Sequence, residues 1–274
     1  MDRSIDHTHA AADGRERRRA GGRVSGGQPI RVHTLGRFGI QIHGAALSSR
    51  QIRQQKPIEL LQCAIALGGR SISRDALSAA LWPESDGDAA ANSYDVTLHR
   101  LRKLLGYEHA LVASGNGLTI NNAVIWVDVW TLEKLLNQID DATSLISNDD
   151  EAYAVQLLSQ SLSLYQGGFL AHDAHKPWAL SMNERLRSKL IRCIGQTGRQ
   201  AEKRDRWSVA ARCYQAGIEM DPLYELFYQR LMICYRQADR KAEALAAYQR
   251  CRSNLASGLC IAPSLETESI FRTL

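Results

Sequence analysis

The 274-residue sequence has no run of about 18 uncharged apolar residues, so no membrane-spanning helix is expected. Its opening stretch, MDRSIDHTHAAADGRERRR, lacks the apolar segment of a secretory leader, which gives a cytosolic protein as the expectation. Cys-x-x-Cys pairs are missing. Cys63, Cys193, Cys213, Cys234, Cys251 and Cys260 stand apart, most of them among apolar residues at helical spacing, a pattern of reduced thiols rather than disulfides or zinc ligands. A large excess of either charge is lacking too, with 34 Lys+Arg against 29 Asp+Glu. What remains, 45% hydrophobic and 7% aromatic residues, excludes a disordered polymer or a collagen and describes a globular protein of one or two domains.

The small net charge of +5 is unevenly placed. Residues 1–28 hold six Arg and four acids, residues 29–125 hold ten Lys+Arg and seven acids, and residues 126–274 hold eighteen of each. A basic first half joined to a neutral second half suits one surface that meets an anion and another that meets protein.

Residues 1–28 are rich in Gly, Arg, Ala and Ser and have little to bury, so a basic arm with a cluster at Arg17, Arg18 and Arg19 is expected there. From Ile30 the pattern alternates through Leu35 and again over 38–42, with Gly36 and Gly44 at turns, the mark of a small antiparallel sheet. Pro57 opens an apolar helix closed by Gly68-Gly69; Ser73 caps a short helix ended by Trp82-Pro83; a third helix runs from about Ala89 to Leu105 before Gly106. Leu111–Ser114 and Leu118–Ile120 flank a Gly-Asn-Gly turn and predict a hairpin. Beyond Trp126 the chain reads as helical almost throughout. Asp205-Arg206, Ala210 and Tyr214-Gln215 recur 34 residues later as Asp239-Arg240, Ala244 and Tyr248-Gln249, the period of a tetratricopeptide helix pair, with a weaker copy near Ala154–Leu158. The expected fold is an α+β winged helix-turn-helix domain (29–125) followed by an all-α tetratricopeptide-like helical repeat domain (126–274).

The third helix carries the chemistry. Tyr94, Leu98, Leu101 and Leu105 form one apolar stripe, and the opposite face gathers Asn92, Val96, His99, Arg100 and Lys103, with Ser93 on one flank and Asp95 and Arg102 on the other. A major groove admits such a helix, and Asn, Arg and an exposed Val match base edges and the thymine methyl. Base-facing candidates are therefore Asn92, Ser93, Val96, His99, Arg100 and Lys103. Arg50, Arg53, Lys56 and Arg102 are candidates for phosphate contacts.

Residues 30–120 resemble the OmpR-type winged-helix DNA-binding domain, above all in 71–77, in Ala80-Leu81-Trp82-Pro83 and in 95–105. Residues 126–274 resemble the bacterial transcriptional activator domain that follows it in the Streptomyces antibiotic regulatory protein family, in 164–170, Pro177-Trp178-Ala179-Leu180, Glu184-Arg185-Leu186-Arg187, 240–248 and Pro263-Ser264-Leu265-Glu266-Thr267. The resemblance implies a sequence-specific activator that binds operator DNA, touches RNA polymerase through the loop holding Trp82, Glu84, Asp86 and Asp88, and uses its helical repeats for homodimerisation or partner contact. It implies association with the nucleoid when DNA-bound. One departure is the hairpin: Leu111–Trp126 contains no Lys or Arg, which argues against a wing contact in the minor groove and leaves the arm at Arg17–Arg19 as a candidate substitute.

Catalysis is not expected, and no cofactor or metal is implied. His172-Asp173-Ala174-His175 and Asp6-His7-Thr8-His9 look like metal pairs without further fixed ligands. No Gly-x-x-x-x-Gly-Lys-[Ser/Thr] phosphate loop or nucleophile elbow occurs. The alternative readings are a protein interaction scaffold, or the output fragment of a larger signalling ATPase, with weak or no DNA binding.

Overall fold

The computed structural model describes residues 27–52, 55–115, 117–144 and 148–274. The arm at Arg17–Arg19, Arg53 and the side chain of Arg50 lie outside the described residues. In chain order the elements are β1 (Ile30–His33), β2 (Gly39–Ile42), β3 (Ala45–Ala46), α1 (Ser49–Ile52), α2 (Gln55–Ala66), β4 (Ile72–Ser73), α3 (Arg74–Leu81), α4 (Gly87–Leu105), β5 (Leu111–Ser114), β6 (Gly117–Ile120) and β7 (Ile125–Val127). There follow α5 (Asp128–Ser144), α6 (Asn148–Leu164), α7 (Pro177–Glu202), α8 (Trp207–Met220), α9 (Glu225–Gln237), α10 (Lys241–Leu259) and α11 (Leu265–Arg272). Among the described residues no helix is long and apolar enough to cross a membrane.

The alternation read from residue 30 onward makes β1 and β2 antiparallel, with Ile30 opposite Ile42 and Val32 opposite Ile40. The sequence did not disclose the next strand of that sheet: β7 lies parallel to β1, pairing Ile30 with Ile125 and Val32 with Val127. Ile30, Val32, Ile40, Ile125 and Val127 bury one face, while Arg31 on the other face stands 5.1 Å over the Trp126 ring. Strand β7 thus straddles the expected division at 125/126. A second sheet, in the order β4-β6-β5, carries the expected hairpin and adds Ile72 opposite Leu118.

Asp128, the first residue of α5, joins the two halves. Its buried carboxylate accepts the Thr34 amide at 2.8 and 2.7 Å, the Thr34 hydroxyl at 2.6 Å, the Leu35 amide at 3.0 Å and the Val129 amide at 2.7 Å. The same corner pairs Leu170 N–H with the Thr34 carbonyl at 2.8 Å and Gly36 N–H with Gly168 at 2.9 Å. Gly36 takes φ +78°, and a Cβ there would come within 2.9 Å of the Gln166 carbonyl, so only glycine permits this approach. In α2, Glu59 is held between Lys56 at 3.1 Å and Lys176 at 2.5 Å. Burial alone would raise the Glu59 carboxyl, but hydrogen bonds from Lys176 and Lys56 outweigh it and hold the group below its ordinary range.

The 34-residue echo is visible in the backbone. Asp205 and Asp239 both take φ +55°, the left-handed conformation that Asp tolerates better than most residues. Arg206 N–H reaches the Ala201 carbonyl at 2.9 Å, and Arg240 N–H reaches Tyr235 at 2.8 Å, the equivalent bond one repeat later. Ala210 and Ala244 are fully buried, and Tyr214 and Tyr248 are buried as the spacing requires. Helices α7 to α10 pack as successive neighbours, each against the next, in a helical repeat. The Ala154–Leu158 stretch lies in α6, which packs on α5 with Ala154, Leu157 and Leu158 buried.

Candidate nucleic-acid interface

Helix α4 begins at Gly87, slightly ahead of the expected start, because the Asp86 carbonyl accepts the Ala90 amide at 2.8 Å. It ends at Gly106, which takes φ +70° and donates its amide to the Arg102 carbonyl at 3.0 Å. Tyr94, Leu98, Leu101 and Leu105 are buried as the stripe predicts, and Ala90 and Thr97 join them. Packing on α2 and α3 fixes the helix by this stripe and turns the other face outward. Asn92, Val96, His99, Arg100 and Lys103 are exposed and Ser93 is half-buried. Val96 is 51% exposed, an apolar group on an otherwise polar face.

The first turn of α2 stands beside the Arg100 flank of this face. Gln51, Gln55, Lys56, Pro57, Arg100, Lys103 and Leu104 line a concavity of about 730 Å³ between them. Lys56 from α2 thereby meets Arg100 and Lys103 from α4 at one hollow, which concentrates positive potential there. Of the candidates for phosphate, Lys56 also has local duties. Its ammonium donates to the Leu81 carbonyl at 2.9 Å, pairs with Glu59 and lies 5.7 Å from the Trp82 ring centroid, yet its side chain stays 48% exposed.

Arg102 is committed further. Its guanidinium donates twice to the Leu111 carbonyl, at 3.2 and 2.9 Å, so it ties the last turn of α4 to the start of the hairpin. The charge is legible in the sequence; the carbonyl that captures it is not. The hairpin presents Val112, 43% exposed, and no cation. In the loop before α4, Glu84, Asp86 and Asp88 are exposed, whereas Trp82 is half-buried against the core and anchors the loop.

One contributor to this face has no signature in the sequence. Arg74, the first residue of α3, bonds the Ala91 carbonyl at 2.9 Å, pairs with the Asp95 carboxylate and lies 5.4 Å from the Tyr94 ring centroid. Elsewhere burial pushes the thiols of Cys63, Cys193, Cys234 and Cys251 up to about 12 and that of Cys213 up to about 11, so all five are protonated packing groups at neutral pH.

A family model described as bacterial transcriptional activator domain matches residues 127–274. Over 230 residues the chain is 26% identical to the regulatory protein AfsR of Streptomyces griseus, an alignment that takes in 81% of this chain and 22% of that protein. EmbR of Mycobacterium tuberculosis, solved in complex with a low-affinity phosphopeptide, matches with a TM-score of 0.65 at 21% identity, over 90% of this chain and 65% of EmbR. The fold is therefore shared along most of the chain. The chain spans about a fifth of the length of AfsR and just under two thirds of that of EmbR.

Proposed function

We propose that the chain, which belongs to the bacterial transcriptional activator domain family, is a sequence-specific DNA-binding transcriptional activator whose N-terminal unit is an OmpR-type winged helix. In this reading α4 lies in a major groove, and the tetratricopeptide-like C-terminal domain meets RNA polymerase, a second copy of the chain or another subunit. The observation that carries it is the outward face of α4, where Asn92, Val96, His99, Arg100 and Lys103 are exposed beside the hollow shared with Lys56. Asn92, Arg100 and Val96 meet base edges, with Ser93 and His99 at the margins of the contact. Lys103 and Lys56 serve the backbone. Arg102, bound to Leu111, supports the hairpin rather than a phosphate. The exposed acids of 84–88 are the surface offered to polymerase.

Variants divide these roles. Asn92→Ala and Arg100→Ala are expected to lose about 1–3 kcal/mol of discrimination for the preferred base at one position each. Lys103→Ala is expected to weaken all duplexes alike and to reduce the salt slope of log K by about one. Binding titrations on specific and scrambled duplexes, repeated across salt concentrations, measure both. Equal losses on the two duplexes for Arg100→Ala would remove it from the base-reading set.

The cation-free hairpin with its exposed Val112 favours a second reading, a protein interaction module. Full affinity for a protein partner with none for duplex DNA would select it.

A further inference from the structure

The face that α4 offers is not uniformly basic. Asp95 lies on its flank with a side chain 61% exposed. The flanks of a helix lying in a major groove run closest to the phosphate ridges, so a bare carboxylate there opposes binding to any sequence. The same carboxylate is paired. Arg74 pairs with Asp95, donates to the Ala91 carbonyl at 2.9 Å and packs its charge 5.4 Å from the centre of the Tyr94 ring. Ala91, Tyr94 and Asp95 stand at i, i+3 and i+4 on one helical edge, so a single guanidinium grips a full turn of α4. Arg74 is itself well placed. It opens α3 directly behind Ser73, whose hydroxyl accepts the Ala76 amide at 3.0 Å, and Ser73 belongs to β4, paired to the hairpin.

We propose that Arg74 is a charge mask and positioning residue for α4: it cancels Asp95 so that this flank approaches the phosphate ridge, and its fork sets the seating of α4 on α3. The proposal rests on the DNA-reading role proposed above. Arginine suits both tasks, since a planar fork can hold a carboxylate and a carbonyl at once while its face lies on an aromatic ring. A lysine keeps the charge and gives up the fork.

The test is a set of four variants, Arg74→Ala, Asp95→Asn, the double variant and Arg74→Lys, each melted thermally and titrated with duplex DNA over a range of salt. Masking makes definite expectations for the slope of log K against log salt, in which each unit of charge at the ridge counts for about one. Arg74→Ala, which bares a carboxylate, should flatten the slope by about one and weaken binding to specific and random duplexes alike, by about tenfold. Asp95→Asn, which frees a cation, should steepen it by about one. The double variant should return the slope to that of the parent. Arg74→Lys should keep the slope and lose base discrimination, as positioning requires.

Asp95→Asn that binds more weakly and with a flatter slope overturns the mask, as does a double variant that stays as flat as Arg74→Ala. Asp95→Asn that changes base preference makes Asp95 a base reader and also overturns it. If Arg74→Ala does not fold, the Asp95→Asn slope decides alone. These failures are distinct from failure of the DNA reading itself, in which the parent protein shows no affinity for duplex DNA.

Discussion

Asp128→Ala is expected to cost about 3–6 kcal/mol of folding stability, because four donors converge on this carboxylate and each buried donor left without its partner costs about 1–3 kcal/mol, contributions that add only in part where neighbours share one site. Thr34 and Asp128 are 0% and 2% exposed, so water is poorly placed to replace the lost acceptor. The damage is not local. The Thr34 carbonyl receives the Leu170 amide and Gly36 bonds Gly168, so the corner that loses Asp128 also holds the segment leading into α7. A domain of this size commonly has about 5–15 kcal/mol in total, which puts the variant near the threshold of folding. Asp128→Asn, which keeps one acceptor oxygen, should lose less. Urea denaturation of the three proteins measures the series, and a loss below about 1 kcal/mol for Asp128→Ala would show that the joint between the halves lies elsewhere.

Tyr214 sets the second large effect. Its ring is 1% exposed and 6.0 Å from the Phe227 ring, and it fills the space opened by the missing side chain at Gly198, where a Cβ would stand 2.5 Å from the ring. Tyr214→Ala empties that site between α7, α8 and α9 and should cost about 3–5 kcal/mol, the range for truncating a large buried aromatic. The hydroxyl behaves differently. It is buried with no hydrogen-bond partner among the described residues, and burial pushes its pKa well above the ordinary tyrosine value. Tyr214→Phe should therefore be neutral or slightly stabilising, since it removes a polar group that makes no bond. Thermal melting distinguishes the pair; a loss for Phe as large as for Ala would assign the hydroxyl a structural bond.

Periodic features of this protein are legible in its sequence, and features that depend on distant partners are not. The stripe Tyr94, Leu98, Leu101 and Leu105 gave the buried side of α4 because helical spacing is a local property. The 34-residue recurrence of Asp-Arg, Ala and Tyr-Gln is legible for the same reason, and the structure adds that Asp205 and Asp239 each turn a left-handed corner. Strand β7 is not legible in this way. It has three residues and joins β1 across more than ninety positions, leaving no local trace beyond the apolar Ile125 and Val127. Charges told half of their story: Arg100 and Lys103 face outward as the helical wheel requires, while Arg102 is drawn to Leu111 and Lys56 to Leu81 by carbonyls exposed at the ends of other elements. Arg74 stood in plain view, but its importance depends on Asp95 and Ala91 being folded against it.

That a helix projecting Asn92, Val96 and Arg100 reads DNA is tested most directly by selection from random duplexes. The full chain is incubated with a random library at about 0.1 M salt, bound DNA is recovered and sequenced, and the enriched duplexes are titrated from about 0.05 to 0.2 M. Enrichment of a defined sequence whose preferred bases relax in the Arg100→Ala protein, with log K falling steeply as salt rises, is the result expected. A recovered pool indistinguishable from the input, with no measurable affinity even at the lowest salt, would contradict it.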